Sequence, residues 1–512
     1  GVKKIARYQQ YFAIKAAIER VTHFDAGGAR AGGVIWHTTG SGKSLTMVML
    51  AKALALHPAI PNPRVVIVTD RVDLDEQIWR TFHNCGKKVF QAQSGAHLLE
   101  LVRDDHADII TTVIDKFETA ARRKEANDGC DIFVLVDESH RGQSPLGLNH
   151  QMMKAVLSRG CYIGFTGTPL LKREKSTAET FGGFIHKYTM RQAVEDGAVV
   201  PLLYEGRVVE LDQDRDIIDA DFDDLTDGMS DAEKRDLKAN MSRREEVFKV
   251  RLRLKRIARD IAAHYKANWR SSGFKAQFAT SSKALAITYA ELLRREGIRC
   301  EVVISAPDTR EGTEEPDGES DAVAESWRRM LARYNNDEKV YLRETLRSFR
   351  DPDGLEILIV VDKLLVGFDE PRNTVLYVDK SLREHGLLQA IARVNRLFDN
   401  KPYGYIVDYR GVLGELDEAM QMYSALEGYD AEDVENVLTD TRTVIATLPQ
   451  VHSSLWDVFK TLPNRDDVEA MERFLEPEDR RQAFYEALTA YTRVLKIALS
   501  TLWYIDETPP RQ

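Results

Sequence analysis

The chain has 512 residues, enough for about three domains that each bury a core, and its 43% hydrophobic and 30% charged residues are the balance of an ordinary water-soluble protein. A formal net charge of −10 excludes a protein that coats nucleic acid indiscriminately and confines any such binding to a local basic groove. No apolar run reaches the length of a membrane span and no secretory leader opens the chain, so no membrane association and a cytoplasmic location are expected. Four scattered cysteines, Cys85, Cys130, Cys161 and Cys300, offer neither a disulfide framework nor a zinc pair and are expected to be buried small apolar residues. The first residue is Gly1 rather than Met, which reads as a portion of something longer.

Gly33-Val34-Ile35-Trp36 is the first continuous apolar run, and His37-Thr38-Thr39-Gly40-Ser41-Gly42-Lys43-Ser44-Leu45 separates it from a helix-like stretch, Thr46 to Leu56. A phosphate-gripping loop belongs at such a strand-to-helix junction. Glycines let successive N–H groups point into one concavity, and the helix offers its positive N-terminal end. Thr39, Gly40, Ser41, Gly42, Lys43 and Ser44 are therefore expected to hold ATP, with Lys43 following the outer phosphates and Ser44 left for Mg²⁺. His37 stands where GxxxxGK[ST] would need Gly, so the match is to the shorter form GxGK[ST].

Further apolar runs alternate with helix-like stretches: Val65 to Thr69, Ile109 to Val113, Phe133 to Val136 and Tyr162 to Thr166. A second set comprises Phe274 to Ala279, Arg299 to Ile304, Ile357 to Val361, Val375 to Val378 and Gly404 to Val407. Unbroken β-branched runs between helices predict parallel sheets covered on both faces, so the fold class is α/β with two doubly wound domains in tandem. The expected limits are residues 1–204 for the first domain, 205–272 for a connecting segment, 273–410 for the second domain and 411–512 for a helical C-terminal region. The hydrophilic stretch Pro307 to Glu325 reads as an exposed insertion.

Asp137-Glu138-Ser139-His140 follows the strand Phe133 to Val136, which brings its first carboxylate out at the C-terminal end of the sheet beside the phosphate loop. Phosphoryl transfer needs a metal, a group that orients the attacking water and positive charge at the γ-phosphate. Ser44 and Asp137 fit the first need and Glu138 the second. Phe165-Thr166-Gly167-Thr168-Pro169 ends the next strand, and Gln389-Ala390-Ile391-Ala392-Arg393-Val394-Asn395-Arg396 is expected to put two arginines one helical turn apart on one face.

With these motifs in order, the chain resembles superfamily 2 helicases and translocases, whose QxxGRxxR pattern here has Ala392 for its Gly. The resemblance implies two tandem RecA-like domains and makes Arg393 and Arg396 arginine fingers. The wording is closer to the motor-bearing restriction subunit of type I restriction–modification enzymes. Five places carry this: Arg7 to Ala13, in which Gln10 would read the adenine edge; Val68 to Leu74; Asp137 to Gln143; Ala193 to Gly197; and Asp362 to Pro371, in which Gly367 and Asp369 would bridge nucleotide and DNA contacts. The same resemblance assigns the sugar-phosphate track to Thr69, Arg71, Thr111, Thr112, Ser281 and Ser282.

The resemblance implies an ATP-hydrolysing, double-stranded DNA translocase working with methyltransferase and specificity subunits. The family's nuclease precedes the motor, and Asp337-Glu338-Lys339 matches only its (D/E)xK tripeptide, so cleavage is expected from a part outside this chain. A strand-separating helicase, a type III restriction motor and, in a different class, an ATP-switched assembly module that docks a methyltransferase are the competing readings. The stretch Arg243 to Arg259 is open between a basic helix lying along DNA and a packed helix with a solvated outer face.

Overall fold

The computed structural model describes residues 5–25, 27–69, 79, 82–83, 88–104, 106–123, 127–137, 148–167, 181–207, 241–307, 317–365, 368–380, 382, 384–410, 438–464, 467–501 and 504. The described residues form two compact units. The first runs to Val199 and includes Leu387–Ala392, and the second takes the rest.

In the first unit, seven strands are found among the described residues: β1 (Gly33–His37), β2 (Arg64–Thr69), β3 (Phe90–Gln91), β4 (Ile109–Val113), β5 (Ile132–Asp137), β6 (Cys161–Thr166) and β7 (Phe184–Tyr188). They pair in parallel in the order β3-β4-β2-β5-β6-β1-β7. The central strands are buried except for Arg64 at the start of β2 and Asp137 at the end of β5, and the two-residue period of a strand sends alternate side chains into separate cores. Val66, Val68, Ile110, Val134 and Val136 pack with Leu98, Val102, Phe117 and Met153. Ile35, Ile67, Phe133, Leu135 and Phe165 pack instead with Ala13, Ala17 and Val21 of helix Tyr8–Val21 and with Met47, Leu50 and Leu54 of helix Lys43–Ala55. Each such aliphatic side chain contributes about 1.5–3 kcal/mol by leaving water.

The second unit repeats the plan with β8 (Leu202–Gly206), β9 (Lys275–Thr280), β10 (Cys300–Val303), β11 (Ile357–Val360), β12 (Asn373–Asp379), β13 (Gly404–Asp408) and β14 (Thr439–Asp440). All are parallel, in the order β10-β11-β9-β12-β13-β8-β14. Phe278, Ile359, Tyr377 and Tyr405 of this sheet share one core with Leu254, Ile257, Ile261 and Tyr265 of helix Met241–Asn268 and with Tyr289 and Leu293 of helix Lys283–Arg295. Ile497 and Ala498 join that core from helix Glu478–Ser500, so the helical C-terminal region is anchored on the second sheet. A buried network completes the anchor: Arg207 donates to Glu205, to both oxygens of Asp260 and to the Ser500 carbonyl.

The expected α/β class, the two parallel sheets and the helical C-terminal region are all present. The ten expected strands are there, and the four not anticipated, β3, β7, β8 and β14, lie at or next to sheet edges. β3 and β14 are two residues long, and β7 and β8 carry mixed side chains, so no continuous apolar run marks any of them. β8 begins inside the segment expected to close the first domain, yet it pairs with β13. Cys161 and Cys300 are buried and Cys130 is half-buried, while Cys85 lies outside the described residues. Among the described residues no helix is long and apolar enough to cross a membrane. The Asp337-Glu338-Lys339 tripeptide is a helix start: Asp337 accepts from the N–H groups of Lys339 and Val340, and Glu338 pairs with Lys363 at 2.7 Å.

Candidate nucleotide-binding site

β1 ends at His37, and the chain turns through Thr38 to Gly42 into helix Lys43–Ala55. The turn depends on two left-handed residues, Gly40 at φ 92° and Gly42 at φ 95°, a region a side chain disfavours. Three contacts fix the loop. The Thr39 N–H donates to the Gly167 carbonyl at 3.2 Å, the Thr38 N–H donates to the Tyr188 carbonyl at 3.0 Å, and the Ser41 hydroxyl donates back to the Thr38 carbonyl at 2.7 Å. Gly42 is the helix N-cap and brings no side chain to cap the first turn. The uncapped N-terminus is the arrangement that favours an anion.

Gly167, at the end of β6, closes over this loop. A Cβ placed on it would lie 2.4 Å from Lys43 Nζ and 2.5 Å from Thr39 Oγ1, so a side chain there would displace the ammonium from its present position. Ser44 occupies the first helical turn. Asp137 is the last residue of β5, half-buried and in register with Phe165 of β6. One hydroxyl and one carboxylate are a suitable protein contribution for Mg²⁺, which keeps waters and phosphate oxygens for its other positions. Among the described residues no cluster of three or more His, Cys, Asp or Glu competes as a metal site. Glu138 and Thr168 lie outside the described residues.

Gln10 is buried on helix Tyr8–Val21 and lies against the loop rather than apart from it: its Nε2 donates to the Gly42 carbonyl at 3.1 Å and its Oε1 accepts from the Arg7 N–H at 3.0 Å. Tyr8 and Tyr188 both donate to Asp196, the second at 2.7 Å, which joins the Arg7–Ala13 motif to the Ala193–Gly197 motif. His37, the residue in place of glycine, is fully buried. Its Nε2 lies 3.0 Å from Nδ1 of His186, and burial, helped by His186 and Lys43, lowers its pKa to about 3. A neutral imidazole therefore packs beneath the loop. His186 is 149 residues away, and no sequence signal announced it.

In the second unit, the Asp362–Pro371 motif and the Arg393–Arg396 motif meet. Arg393, 4% exposed, donates to the Phe368 carbonyl at 2.9 Å, and Arg396 pairs with Asp369 at 3.0 Å. The expected helical face does not supply this: helix Glu384–Ile391 stops before Arg393, and both arginines sit in the turn and coil that follow. Lys401, also missed, is buried and donates to the carbonyls of Pro371 at 3.0 Å and Asn373 at 2.7 Å. Burial first, and the Arg396 charge second, bring its pKa down to about 7. Leu364, at φ 67°, holds the same motif in a conformation that costs an L-residue about 1–2 kcal/mol. Gly367 lies outside the described residues.

The six residues expected on a nucleic-acid track are placed unequally. Ser281 is exposed just past β9, while Ser282 accepts the Leu285 N–H at 3.2 Å and caps helix Lys283–Arg295. Thr69 is buried at the end of β2, and Thr111 and Thr112 are fully buried inside β4, so none of these three hydroxyls is accessible here. Arg71 lies outside the described residues. In the basic stretch, Arg253 is held by Asp379 in a two-pronged pair at 2.8 and 3.1 Å, so it serves packing. Arg251 is exposed.

Residues 9–235 match the family described as SWI2/SNF2 ATPase, and residues 272–411 match the one described as Type I restriction enzyme subunit R domain 3. The chain is 33% identical over 495 residues to the type I restriction enzyme HindI endonuclease subunit of Haemophilus influenzae, covering 87% of this chain and 44% of that protein. It is 28% identical to a Methanocaldococcus jannaschii protein assigned as the type I restriction enzyme MjaIXP endonuclease subunit, covering 97% of this chain and 48% of that one. The chain thus spans about half the length of these curated relatives. A solved fragment assigned to an HsdR subunit of a type I restriction enzyme from Vibrio vulnificus YJ016 aligns with a TM-score of 0.54 and 16% identity, over 86% of this chain and 68% of that one, a likeness of fold. The matched domains and these relatives put the chain among the R subunits of type I restriction enzymes, with a SWI2/SNF2 ATPase domain followed by subunit R domain 3.

Proposed function

We propose that the chain hydrolyses ATP and uses the energy to move along double-stranded DNA, as the motor of a type I restriction endonuclease whose cutting, methylating and sequence-reading parts lie elsewhere. The observation that carries this reading is the loop of the first unit. Two left-handed glycines, an uncapped helix N-terminus and an ammonium next to Gly167 suit a polyphosphate, and Asp137 ends β5, two strands from β1 in the same parallel sheet.

In this reading Lys43 and the backbone from Thr39 to Ser44 bind the phosphates, and Gln10 braces Gly42 while reading the adenine edge. Ser44 and Asp137 would hold Mg²⁺, which supplies charge neutralisation between the phosphates when bound. Glu138 orients the attacking water. Arg393 and Arg396 place positive charge on the transferring phosphoryl, a contribution of roughly three to five powers of ten in rate. Gly367 and Asp369 link the arginines to the DNA track, on which Ser281 is the accessible hydroxyl among the described candidates. Thr69, Thr111 and Thr112 contribute there only if their strand ends open, and Arg71 is the charged member of that group.

The test is ATP hydrolysis with and without duplex DNA, using single-stranded DNA and RNA as comparisons. Stimulation by duplex DNA and its loss in Lys43→Ala are expected. Hydrolysis indifferent to duplex DNA, or unaffected by Lys43→Ala, overturns the reading. Displacement of a DNA triplex without release of single strands separates translocation from strand separation.

A further inference from the structure

The basic stretch of helix Met241–Asn268 includes Arg253, whose anchoring the nucleotide site does not explain. Arg253 is tied to Asp379, the last residue of β12, which is fully buried. All the accepting positions of that carboxylate are filled. Oδ1 receives Arg253 Nη2 and Arg410 Nε, both at 2.8 Å; Oδ2 receives Arg253 Nη1 at 3.1 Å and the Tyr289 hydroxyl at 2.6 Å. Burial alone would raise the Asp379 pKa, but the bonds from Arg253 and Tyr289 and the charges of Arg253 and Arg410 hold it below the usual range. One carboxylate therefore faces two guanidinium groups, and it takes only one nitrogen from the second of them.

Both arginines reach the surface. Arg253 is 23% exposed and Arg410 45%. The Arg410 backbone is fixed as well, since its N–H donates to Asp408 at 2.8 Å and Asp408 accepts the Tyr204 hydroxyl at 3.0 Å. Arg253 also donates to the Tyr409 carbonyl at 3.0 Å. Only Nε of Arg410 is engaged, and among the described residues no acceptor meets its Nη groups. An arginine gripped at Nε, with its terminal nitrogens presented to solvent, is pre-organised to take two oxygens of a phosphate.

Its place in the fold suits a nucleic-acid backbone. β9, β12 and β13 are neighbours in a parallel sheet, so Ser281, Asp379 and Arg410 come out at one edge; Thr280 is in register with Asp379, and Val378 with Asp408. We propose that Arg410, held by Asp379, is a phosphate-contacting residue for the DNA backbone at the C-terminal edge of the second sheet, with Arg253 as its positioning residue. This rests on the reading of the chain as a duplex-DNA translocase. A backbone contact of this kind fixes position without selecting sequence.

The experiment measures binding of the full chain to a duplex of arbitrary sequence over a series of salt concentrations, with ATP hydrolysis measured alongside. Arg410→Ala is expected to weaken binding about tenfold, as for a lost charged hydrogen bond, and to lower the slope of log affinity against log salt by about one. ATP hydrolysis without DNA and the KM for ATP stay at wild-type values. Arg410→Lys is expected to restore the slope and only part of the affinity, which a merely structural role would not do. Unchanged affinity and slope in both Arg410→Ala and Arg410→Gln overturn the assignment while leaving the translocase reading intact. A wild-type chain that does not bind duplex DNA overturns both.

Discussion

The phosphate loop of the first unit and the arginine-bearing edge of the second solve the problem of presenting positive potential in opposite ways. The loop relies on backbone. Gly40 and Gly42 curl the chain, and the charge comes from a helix end and a single Lys43. The second unit relies on side chains anchored by other side chains and carbonyls: Arg393 on Phe368, Arg396 on Asp369, Arg253 and Arg410 on Asp379, Lys401 on Pro371 and Asn373. A backbone device is local, so it tolerates few residue types at fixed spacing. A side-chain device draws its parts from far along the chain, and removing one member leaves another buried without its partner.

Three measurements sharpen or break that contrast. The largest effect is expected for Arg253→Ala, which leaves Asp379 buried with Arg410 and Tyr289 alone and should cost about 3 kcal/mol in denaturant unfolding. Arg251→Ala, on the exposed side of the same helix, should change stability by less than about 0.5 kcal/mol. Equal effects of the two would mean that the side-chain network does not hold the second unit together.

Next comes Gly42→Ala. It forces a side chain into a left-handed conformation and puts its Cβ 2.8 Å from Gln10 Nε2, so a loss of about 1–2 kcal/mol in nucleotide affinity or stability is expected, seen by calorimetry. Wild-type affinity and stability in this variant would show that the loop does not depend on its glycine geometry.

The third measurement concerns pH. His37 has a folded pKa of about 3, and burial also lowers those of His186 and His264. The unfolded chain therefore binds more protons below about pH 6.5, so stability present above that value is lost as pH falls toward 3. The slope contributed by His37 is up to about 1.4 kcal/mol per pH unit. Melting temperatures measured from pH 7.5 to 5 should fall less steeply in His37→Gln, and an identical slope would remove the buried neutral histidine from beneath the loop.

Much of this protein can be read directly from its residues. The unbroken runs Val65 to Thr69, Ile109 to Val113 and Ile357 to Val361 announced central parallel strands, because a strand buried on both faces has nowhere to put a polar residue. Gly40-Ser41-Gly42-Lys43-Ser44 announced its loop for a similar reason: only glycine accepts those φ values, and the helix must start there. The strands β7 and β8 were not legible, since Phe184–Tyr188 and Leu202–Gly206 mix polar and apolar residues, β7 at a half-covered edge and β8 with the buried Glu205 among its apolar residues. The helix expected to carry Arg393 and Arg396 ends at Ile391, and the turn and coil after it hold them instead.

The sequence by itself determined the alternation of strands and helices, the order of the motifs and the glycine turn that leads from β1 into helix Lys43–Ala55, all consequences of local periodicity and allowed backbone angles. Only the tertiary structure decided that Thr111 and Thr112 lie inside a strand, that His37 meets His186, and that Arg253 is spent on Asp379 while Arg410 is left to face solvent. Such pairings join residues more than a hundred positions apart. They are fixed by which strand ends share a sheet edge and by the cost of burying a charge without a partner, and neither is written in any single stretch of chain.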